Sequence, residues 1–382
     1  MDLRIADGAV LVGGELVDAT LHVSAGDGLI TEIGSDRSAS DTITAEDLIV
    51  LPGIVDIHGD AFERQIMPRP GVNFSPDIAL IDTDRQVIAN GITTVFHSVT
   101  HSWEPGLRSA NNARSMLGAI EALRFQLVAD TRCQLRYEIF NLAAELEVGD
   151  WLDRRRIHAL AFNDHLPSAD ELPLNFSQML ERSGLNRDDF LMLVTRLRCR
   201  SDEVPRSTAR LAERANASGV PLISHDDRSP AERRWFRSLG SRVSEFPMNI
   251  ETAQDAALAG DQIVLGAPNV VRGRSHLGWI DATEMVSRGL CSILASDYYY
   301  PAPLAATFRL CQSRVVPLAK AWTLVCEAPA RAMKLDDRGR IEPGLRADLI
   351  LVDAALPTRP RVVAVLVAGR IVFLTEPDRI FH

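Results

Sequence analysis

The middle of this 382-residue chain alternates short apolar runs with amphipathic segments eight times. Apolar runs of this length predict buried strands, and the segments between them carry apolar residues near the 3.6-residue period of a helix. Eight successive strand–helix units predict an α/β fold in which the parallel strands close into a (β/α)8 TIM barrel. The eight runs are GIVDIH (53–58), GITTVFHSV (91–99), QLRYEIF (134–140), IHALAF (157–162), VPLISH (220–225), RVSEF (242–246), QIVLG (262–266) and CSILAS (291–296).

The two ends of the chain have a different pattern, in which short strands alternate with glycine turns. AVLVGGELV and LHVSAGDGLITEIG lie near the start, and GLRADLILVD and RVVAVLVAGRIVFL lie near the end. This pattern is typical of antiparallel β-structure. We therefore predict one small β-sandwich domain from residues 1–51 and 340–382, and a barrel domain from residues 52–339.

Composition narrows the classes of partner. Apolar residues make up 46% of the chain, which predicts a large core, and the net charge of −10 disfavours nucleic acid or an anionic membrane as partner. A small anionic substrate in a locally basic pocket stays compatible with this charge. Five cysteines without CxxC spacing, no signal-peptide pattern and no long apolar span predict a reduced, cytoplasmic protein. The sequence leaves a homo-oligomer open.

Polar side chains collect at the C-terminal ends of the predicted strands, where a barrel keeps its active site. A single histidine there is usually structural, but six residues of ligand type converge. His58 and Asp60 are two residues apart and would face the same side of a strand, offering the nitrogen and oxygen ligands that zinc or manganese accepts. Asp297 follows the eighth strand, next to the first, and is the predicted catalytic residue that orients a water and accepts its proton. The six candidate ligands for one or two divalent metal ions are His58, Asp60, Glu138, His165, His225 and Asp297.

The stretch LPGIVDIHGD, together with the β-rich ends, resembles the amidohydrolase superfamily. Most members carry HxH where this chain has HxD. A narrower resemblance is to the phosphonate-pathway alpha-D-ribose 1-methylphosphonate 5-triphosphate diphosphatase branch, which also uses HxD. It rests on MPRPGV, ANGITTVFHSV, PLISHDD, EFP, GAPNVVRGRSH and ILASDYYYP, in this order. The resemblance covers essentially the whole chain and implies metal roles for the same six residues.

Two segments depart from that branch. The segment NDHLPSADELPLNFSQMLERSGLNRDDF lacks the glycine- and glutamine-rich stretch and the tyrosine-rich helix of the branch, and AFERQI is also altered. Since these regions would contact substrate, a paralogue with another substrate stays open. The long interval between residues 162 and 220 predicts an inserted helical segment, and the role of residues 166–200 is undetermined.

The strand count raises a second question. The superfamily usually takes its bridging ligand from strand four and two histidines from strands five and six. Glu138, His165 and His225 each fall one strand earlier in our count. Either one strand is missing from the count or this branch differs, and Glu245 in the sixth run is then a further candidate near the metals.

The scarcity of lysine constrains the bridge between two metals. Many amidohydrolases use a carboxylated lysine on a barrel strand, but Lys320 and Lys334 are the only lysines and both follow Asp297. Both lie in segments with helical pattern, so neither would reach the third or fourth strand end. We therefore predict that Glu138 bridges the metals, against the alternative that it only pairs with a neighbouring arginine such as Arg136.

Three hypotheses for function remain. The leading one is hydrolysis of a phosphoanhydride in a ribose 5-triphosphate phosphonate ester, with release of diphosphate. The second is an amidohydrolase or deaminase acting on a small amide, ureido or cyclic imine substrate, and the third is a binding protein on an inactive barrel. Converging arginines would favour phosphates, although each could equally be a solvated surface residue. The candidate substrate-binding residues are Arg64, Arg69, Arg272, Arg274 and His276.

Overall fold

A computed structural model of the chain describes residues 2–34, 39, 41–69, 71–167, 176–273 and 281–381. Its largest element is a sheet of eight parallel strands in sequential order, closed by a parallel bridge between Gly59 and Asp297. All eight predicted barrel strands are confirmed, in the predicted order. They are β6 (Ile54–Gly59), β7 (Ile92–His101), β8 (Asp130–Glu138), β9 (Ala159–Asn163), β10 (Leu222–His225), β11 (Val243–Glu245), β12 (Gln262–Gly266) and β13 (Ile293–Ala295).

Helices connect the barrel strands and surround them. α3 illustrates why: Ala113, Met116, Leu117 and Ile120 form one buried stripe, and the Ser109 side chain caps its first turn by accepting a hydrogen bond from the Asn112 amide. The helices are α1 (Glu63–Ile66), α2 (Pro76–Ala89), α3 (Ala110–Leu123), α4 (Glu145–Asp153), α5 (Phe176–Ser183), α6 (Arg187–Arg198), α7 (Val204–Ala217), α8 (Pro230–Ser238), α9 (Ile250–Leu258), α10 (Ala267–Arg272), α11 (Ala282–Ser287), α12 (Ala302–Gln312), α13 (Leu318–Thr323), α14 (Glu327–Ala332) and α15 (Pro377–Ile380). Within the described ranges, none of them has the length and apolar character needed to cross a membrane.

The two chain ends meet in one small domain, as predicted, but its sheet is mixed, because β1 pairs parallel with β4 and β5. β14 pairs antiparallel with β5 from Leu349 opposite Pro52 to Asp353 opposite Leu48, which joins the end of the chain to its beginning. The strand order is β16-β15-β14-β5-β1-β2-β3, with β4 beside β1. The domain boundaries at 51/52 and 339/340 stay a prediction. The strands are β1 (Leu3–Val12), β2 (Glu15–Val23), β3 (Ile30–Ile33), β4 (Asp41–Thr44), β5 (Leu48–Pro52), β14 (Leu349–Asp353), β15 (Arg361–Val367) and β16 (Arg370–Leu374).

The long connection between β9 and β10 contains α5 and α6 ahead of the crossover helix α7. α5 is fastened to the loop after β7 by Arg182, which donates to both carboxylate oxygens of Glu104 at 2.8 and 3.1 Å. Gly106 in that loop has a positive φ, and a side chain there would collide with the Arg182 carbonyl. The inserted helices therefore pack closely on the C-terminal rim of the barrel.

Candidate metal centre

The C-terminal ends of the barrel strands bring imidazoles and carboxylates into one cluster of buried and half-buried side chains. Within each of three groups, one ligand atom from every member lies within 4.8 Å of the others. The groups are His58–Asp60–Asp297, His58–His225–Glu245 and His165–His225–Asp226. Since His58 and His225 each belong to two groups, the three form one continuous site. Five of the six predicted metal residues lie in these groups, and the sixth, Glu138, contacts His165.

Glu245 holds two of the imidazoles. One of its carboxylate oxygens lies 2.8 Å from His225 Nδ1, and the other lies 2.9 Å from His58 Nδ1. The two rings are stacked with centroids 5.5 Å apart and planes 14° apart. Burial would raise the pKa of Glu245, but the neighbouring His58 and His225 hold it well below its usual range. Glu245 is therefore a fixed anion between two ligand-type side chains.

His165 lies between two further carboxylates. Its Nδ1 is 2.6 Å from Glu138 Oε1, its Nε2 is 3.2 Å from Asp226 Oδ2, and its backbone N–H donates to Glu138 Oε2. Burial would lower the pKa of His165, but Glu138 and Asp226 raise it to about 9. Burial likewise opposes ionisation of Glu138, whose pKa nevertheless falls to about 2 beside His165. Glu138 thus orients His165, and its role as a bridge between metals stays a prediction.

Asp297 and Asp60 meet where the barrel closes. The Asp297 amide donates to the His58 carbonyl at 2.8 Å, and the Asp60 amide donates to the Asp297 carbonyl at 3.0 Å. Burial, followed by repulsion from the Asp60 carboxylate, raises the pKa of Asp297 to about 7. The backbone therefore places both carboxylates beside His58, as the HxD spacing and the closed barrel predict.

Three residues that follow strand ends at this mouth have left-handed backbone conformations without being glycine. Asp226, Phe246 and Asp297 have φ values of 59°, 55° and 55°. This conformation is unfavourable for residues with a Cβ, and such residues cluster at functional sites. The turns direct Asp226 and Asp297 back towards the barrel axis instead of letting the chain continue straight into a loop.

One buried cation, Arg136 of β8, lies among these anions. Its Nη1 is 3.3 Å from Asp60 Oδ2, and its Nη2 is 3.2 Å from His225 Nε2. Arg108 lies 3.9 Å from the same Asp60 oxygen and binds Glu63 through two hydrogen bonds of 2.9 Å. Arg136 therefore lies inside the cluster, and Arg108 lies at its edge.

The cluster fits one or two divalent cations. Five carboxylates, of which Glu138 and Glu245 are buried, lie around the buried Arg136 guanidinium and three imidazoles. Even with His165 protonated the anionic groups outnumber the cationic ones, and divalent cations would neutralise the difference. His58 Nδ1 is also buried without a hydrogen bond of good geometry, although Glu245 is only 2.9 Å away. Nitrogen and carboxylate oxygen are the ligands that zinc and manganese accept.

The predicted substrate-binding residues divide into three cases. Arg64 donates to the backbone carbonyl of Tyr298, and Arg272 Nη1 lies 3.3 Å from the Tyr298 hydroxyl, so both reach the residue that follows Asp297. Arg69 is exposed on a loop, where its backbone forms an isolated antiparallel bridge with Val72. Arg274 and His276 lie outside the described residues.

Neither lysine approaches the cluster. Lys320 is in α13 and lines a cavity with Ser292 and Glu327, and Lys334 donates to the Gly219 carbonyl ahead of β10. Both positions belong to the opposite end of the barrel. The argument against a carboxylated lysine therefore agrees with the structure.

Sequence reasoning missed Asp226 and Arg136 as members of the site, and named Glu245 only as a further candidate. Asp226 directly follows His225, and the three polar residues HDD at a strand end were the available signal. Arg136 and Glu138 alternate along β8, so both face the barrel interior. The strand count was also correct: no strand is missing, so Glu138, His165 and His225 do lie at strands three to five.

A parallel barrel with imidazoles and carboxylates gathered at its C-terminal mouth is the architecture of a metal-dependent hydrolase. Residues 304–373 match the Amidohydrolase family. The chain is 30% identical over 350 residues to alpha-D-ribose 1-methylphosphonate 5-triphosphate diphosphatase of Escherichia coli (strain K12), covering 88% of this chain and 91% of that protein. The chain therefore belongs to the amidohydrolase superfamily, in the branch of this diphosphatase.

Two other similarities are more distant. A stretch of 98 residues is 34% identical to the dihydroorotase of Citrifermentans bemidjiense, covering 25% of this chain and 21% of that enzyme. The solved structure of the dihydropyrimidinase of Brevibacillus agri NCHU1002 matches with a TM-score of 0.65 and 13% identity, covering 100% of this chain and 96% of that chain. The structural match supports the barrel fold alone.

Proposed function

We propose that this hydrolase is a metal-dependent diphosphatase that cleaves a phosphoanhydride in a ribose 5-triphosphate phosphonate ester, as part of phosphonate catabolism. The observation that carries the proposal is the presence of arginines at the mouth that holds three overlapping metal-ligand groups. Arg136 lies inside the cluster, and Arg64 and Arg272 converge on Tyr298 beside it. The name of the Escherichia coli relative supports the same substrate class.

The residues of this chain would divide the work as follows. His58, Asp60, His165, His225 and Asp297 would hold the ions, with Glu138 as the proposed bridge. Bound divalent ions lower the pKa of a nearby water and neutralise charge on phosphoryl oxygens.

Asp297 would orient that water and accept its proton, because its carboxylate lies in one metal-ligand group with His58 and Asp60. Arg64 and Arg272 would bind the outer phosphates, since a planar guanidinium matches two phosphoryl oxygens. We also propose a cytoplasmic location, which the five free cysteines support, and a small anionic substrate without a nucleic-acid or membrane partner.

A second candidate is hydrolysis of a small cyclic amide. The local similarity to dihydroorotase favours it, and so does the altered sequence around α5 and α6. The same metal-binding residues would serve attack on carbon.

A substrate panel on protein reconstituted with zinc or manganese separates the two candidates. We expect diphosphate release from ribose 5-triphosphate esters or nucleotide-like triphosphates, and no opening of dihydroorotate or hydantoin rings. Ring opening without diphosphate release would replace the first candidate by the second.

A further inference from the structure

A basic cavity of about 260 Å³ lies at the end of the barrel opposite the metal-ligand cluster. It is formed by the end of α3, the start of β8 and the turn between α4 and β9. β8 runs from Asp130 at the cavity to Glu138 at the cluster, a separation of about 26 Å at ~3.3 Å per residue. The cavity is therefore separate from the proposed active site. Its basic lining residues are Arg124, Arg132, Arg154, Arg155, Arg156 and His158.

The positive charge of this cavity is only partly neutralised by the protein. Three of the arginines have carboxylate partners, namely Arg156 with Glu121 at 2.7 Å, Arg132 with Asp130 at 2.9 Å and Arg154 with Asp150 at 2.9 Å. Arg124 and Arg155 form no ion pair with any part of the chain that the structure describes. Two uncompensated guanidinium groups thus share one small cavity in a protein whose net charge is −10.

Arg155 also occupies a backbone position that suits glycine. It follows α4 with a φ of 53°, its amide donates to the Leu152 carbonyl, and the Arg156 amide donates to the Trp151 carbonyl. This is the Schellman end of a helix, where the left-handed residue is usually glycine. Five other barrel helices, α2, α7, α8, α9 and α11, follow that rule with Gly91, Gly219, Gly240, Gly260 and Gly289. The α4 end instead has an arginine. The α12 and α14 ends likewise have Arg314 and Lys334, but of these three residues only Arg155 lines the cavity.

We propose that this cavity binds a small molecule bearing a phosphate or diphosphate group. Guanidinium groups bind phosphoryl oxygens through paired, charge-assisted hydrogen bonds, and Arg124 and Arg155 are available for them. The cavity accommodates a compact anion. The proposal does not depend on the reaction catalysed at the other end of the barrel.

Calorimetric titration of the metal-containing protein with inorganic diphosphate tests the proposal through Arg155→Gly. Glycine fits the left-handed conformation, so this variant should unfold at no lower temperature than wild type. We expect the affinity at the cavity to fall at least tenfold. Arg124→Ala, an exposed substitution, should weaken binding similarly, and the double variant should lose this class of binding.

Arg314→Gly is the matched control. Arg314 follows α12 with a φ of 55°, its amide donates to the Cys311 carbonyl, and it lies outside the cavity lining. The variant therefore removes one arginine charge from the same left-handed backbone conformation elsewhere in the protein, and it should bind diphosphate as wild type does. Any binding of diphosphate at the metal centre is the same in Arg155→Gly and in Arg314→Gly, so it does not affect the comparison between them. Equal affinities in Arg155→Gly, Arg124→Ala and Arg314→Gly, or no binding beyond the metal centre in wild type, would overturn the proposal.

Discussion

Replacing Arg233 by methionine should destabilise the fold strongly, because this arginine is a fully buried charge on α8. Its Nη1 lies 3.4 Å from Asp227 Oδ2, its Nε lies 3.2 Å from Asp261 Oδ2, and it donates to the carbonyls of Ser241 and Val243. Both carboxylates are buried as well. Methionine would fill the space but leave Asp227 without its cation.

The expected cost is about 3–5 kcal/mol of unfolding free energy, the usual result of removing one partner from a buried ion pair. Asp261 keeps Arg237 at 2.6 Å, so most of the loss arises at Asp227, which retains only the hydroxyls of Ser224 and Ser244. Asp227 follows His225 and Asp226 directly, and its displacement should also weaken metal binding. Urea unfolding followed by intrinsic fluorescence measures the stability change.

Arg234→Met is the matched control on the same helix. Arg234 pairs with Asp255 at 2.7 Å, but its side chain is 58% exposed, so the pair should contribute at most about 1 kcal/mol. The double variant Arg233→Met/Asp227→Asn should lose less unfolding free energy than the sum of the two single variants, because it no longer has an unpaired Asp227 carboxylate. If Arg233→Met lowered the free energy of unfolding no more than Arg234→Met does, the buried ion pairs of Arg233 would not be what stabilises the segment after β10.

Three further predictions concern the site and the opposite end of the barrel. Asp297→Asn should abolish turnover while thermal unfolding stays cooperative; near-wild-type rates would remove Asp297 from proton transfer. Glu138→Gln should lower the metal content or empty one site, measured by elemental analysis; full metal content, with the side chain turned away in a structure, would refute the bridge. His158 is half-buried, and its partial loss of solvation together with Arg132 lowers its pKa to about 4. Its stabilising contribution is therefore complete above the ordinary pKa of about 6.5 and is lost as the pH falls towards 4, by up to about 1.4 kcal/mol per pH unit. In His158→Gln, the glutamine side chain can still accept a hydrogen bond from the Cys133 amide, and the free energy of unfolding should fall less between pH 7 and 4 than in wild type. The same pH dependence in both proteins would show that His158 does not cause the loss.

The barrel could be predicted from the sequence because most of its strands, such as β6 and β12, contain a short apolar run bounded by turn residues. His58 near the end of β6 and His225 at the end of β10 are visible as departures from that apolar pattern. The pairing of the chain ends was also predictable, since both ends contain short apolar strands, such as β5 and β14, in segments with glycine turns. In each case, the apolar residues that identify the strand in the sequence are the ones that the fold buries.

The parts that sequence reasoning missed depend on directions that only the folded chain determines. Asp226 reaches the cluster because its backbone turns left-handed after β10, which no periodicity reveals. In the sequence Arg136 is an ordinary charged residue, and only the folded β8 strand places it between Asp60 and His225. Glu245 shows its role only when β11 lies beside β10, so that one carboxylate reaches two rings.

The most direct test of the account is the metal content of the protein purified after growth in zinc- or manganese-supplemented medium. Five carboxylates and three histidines gathered at one barrel mouth predict one or two divalent ions per chain. Elemental analysis that found no metal in folded protein would contradict the assignment of this cluster as a metal centre, and with it the proposed hydrolase mechanism.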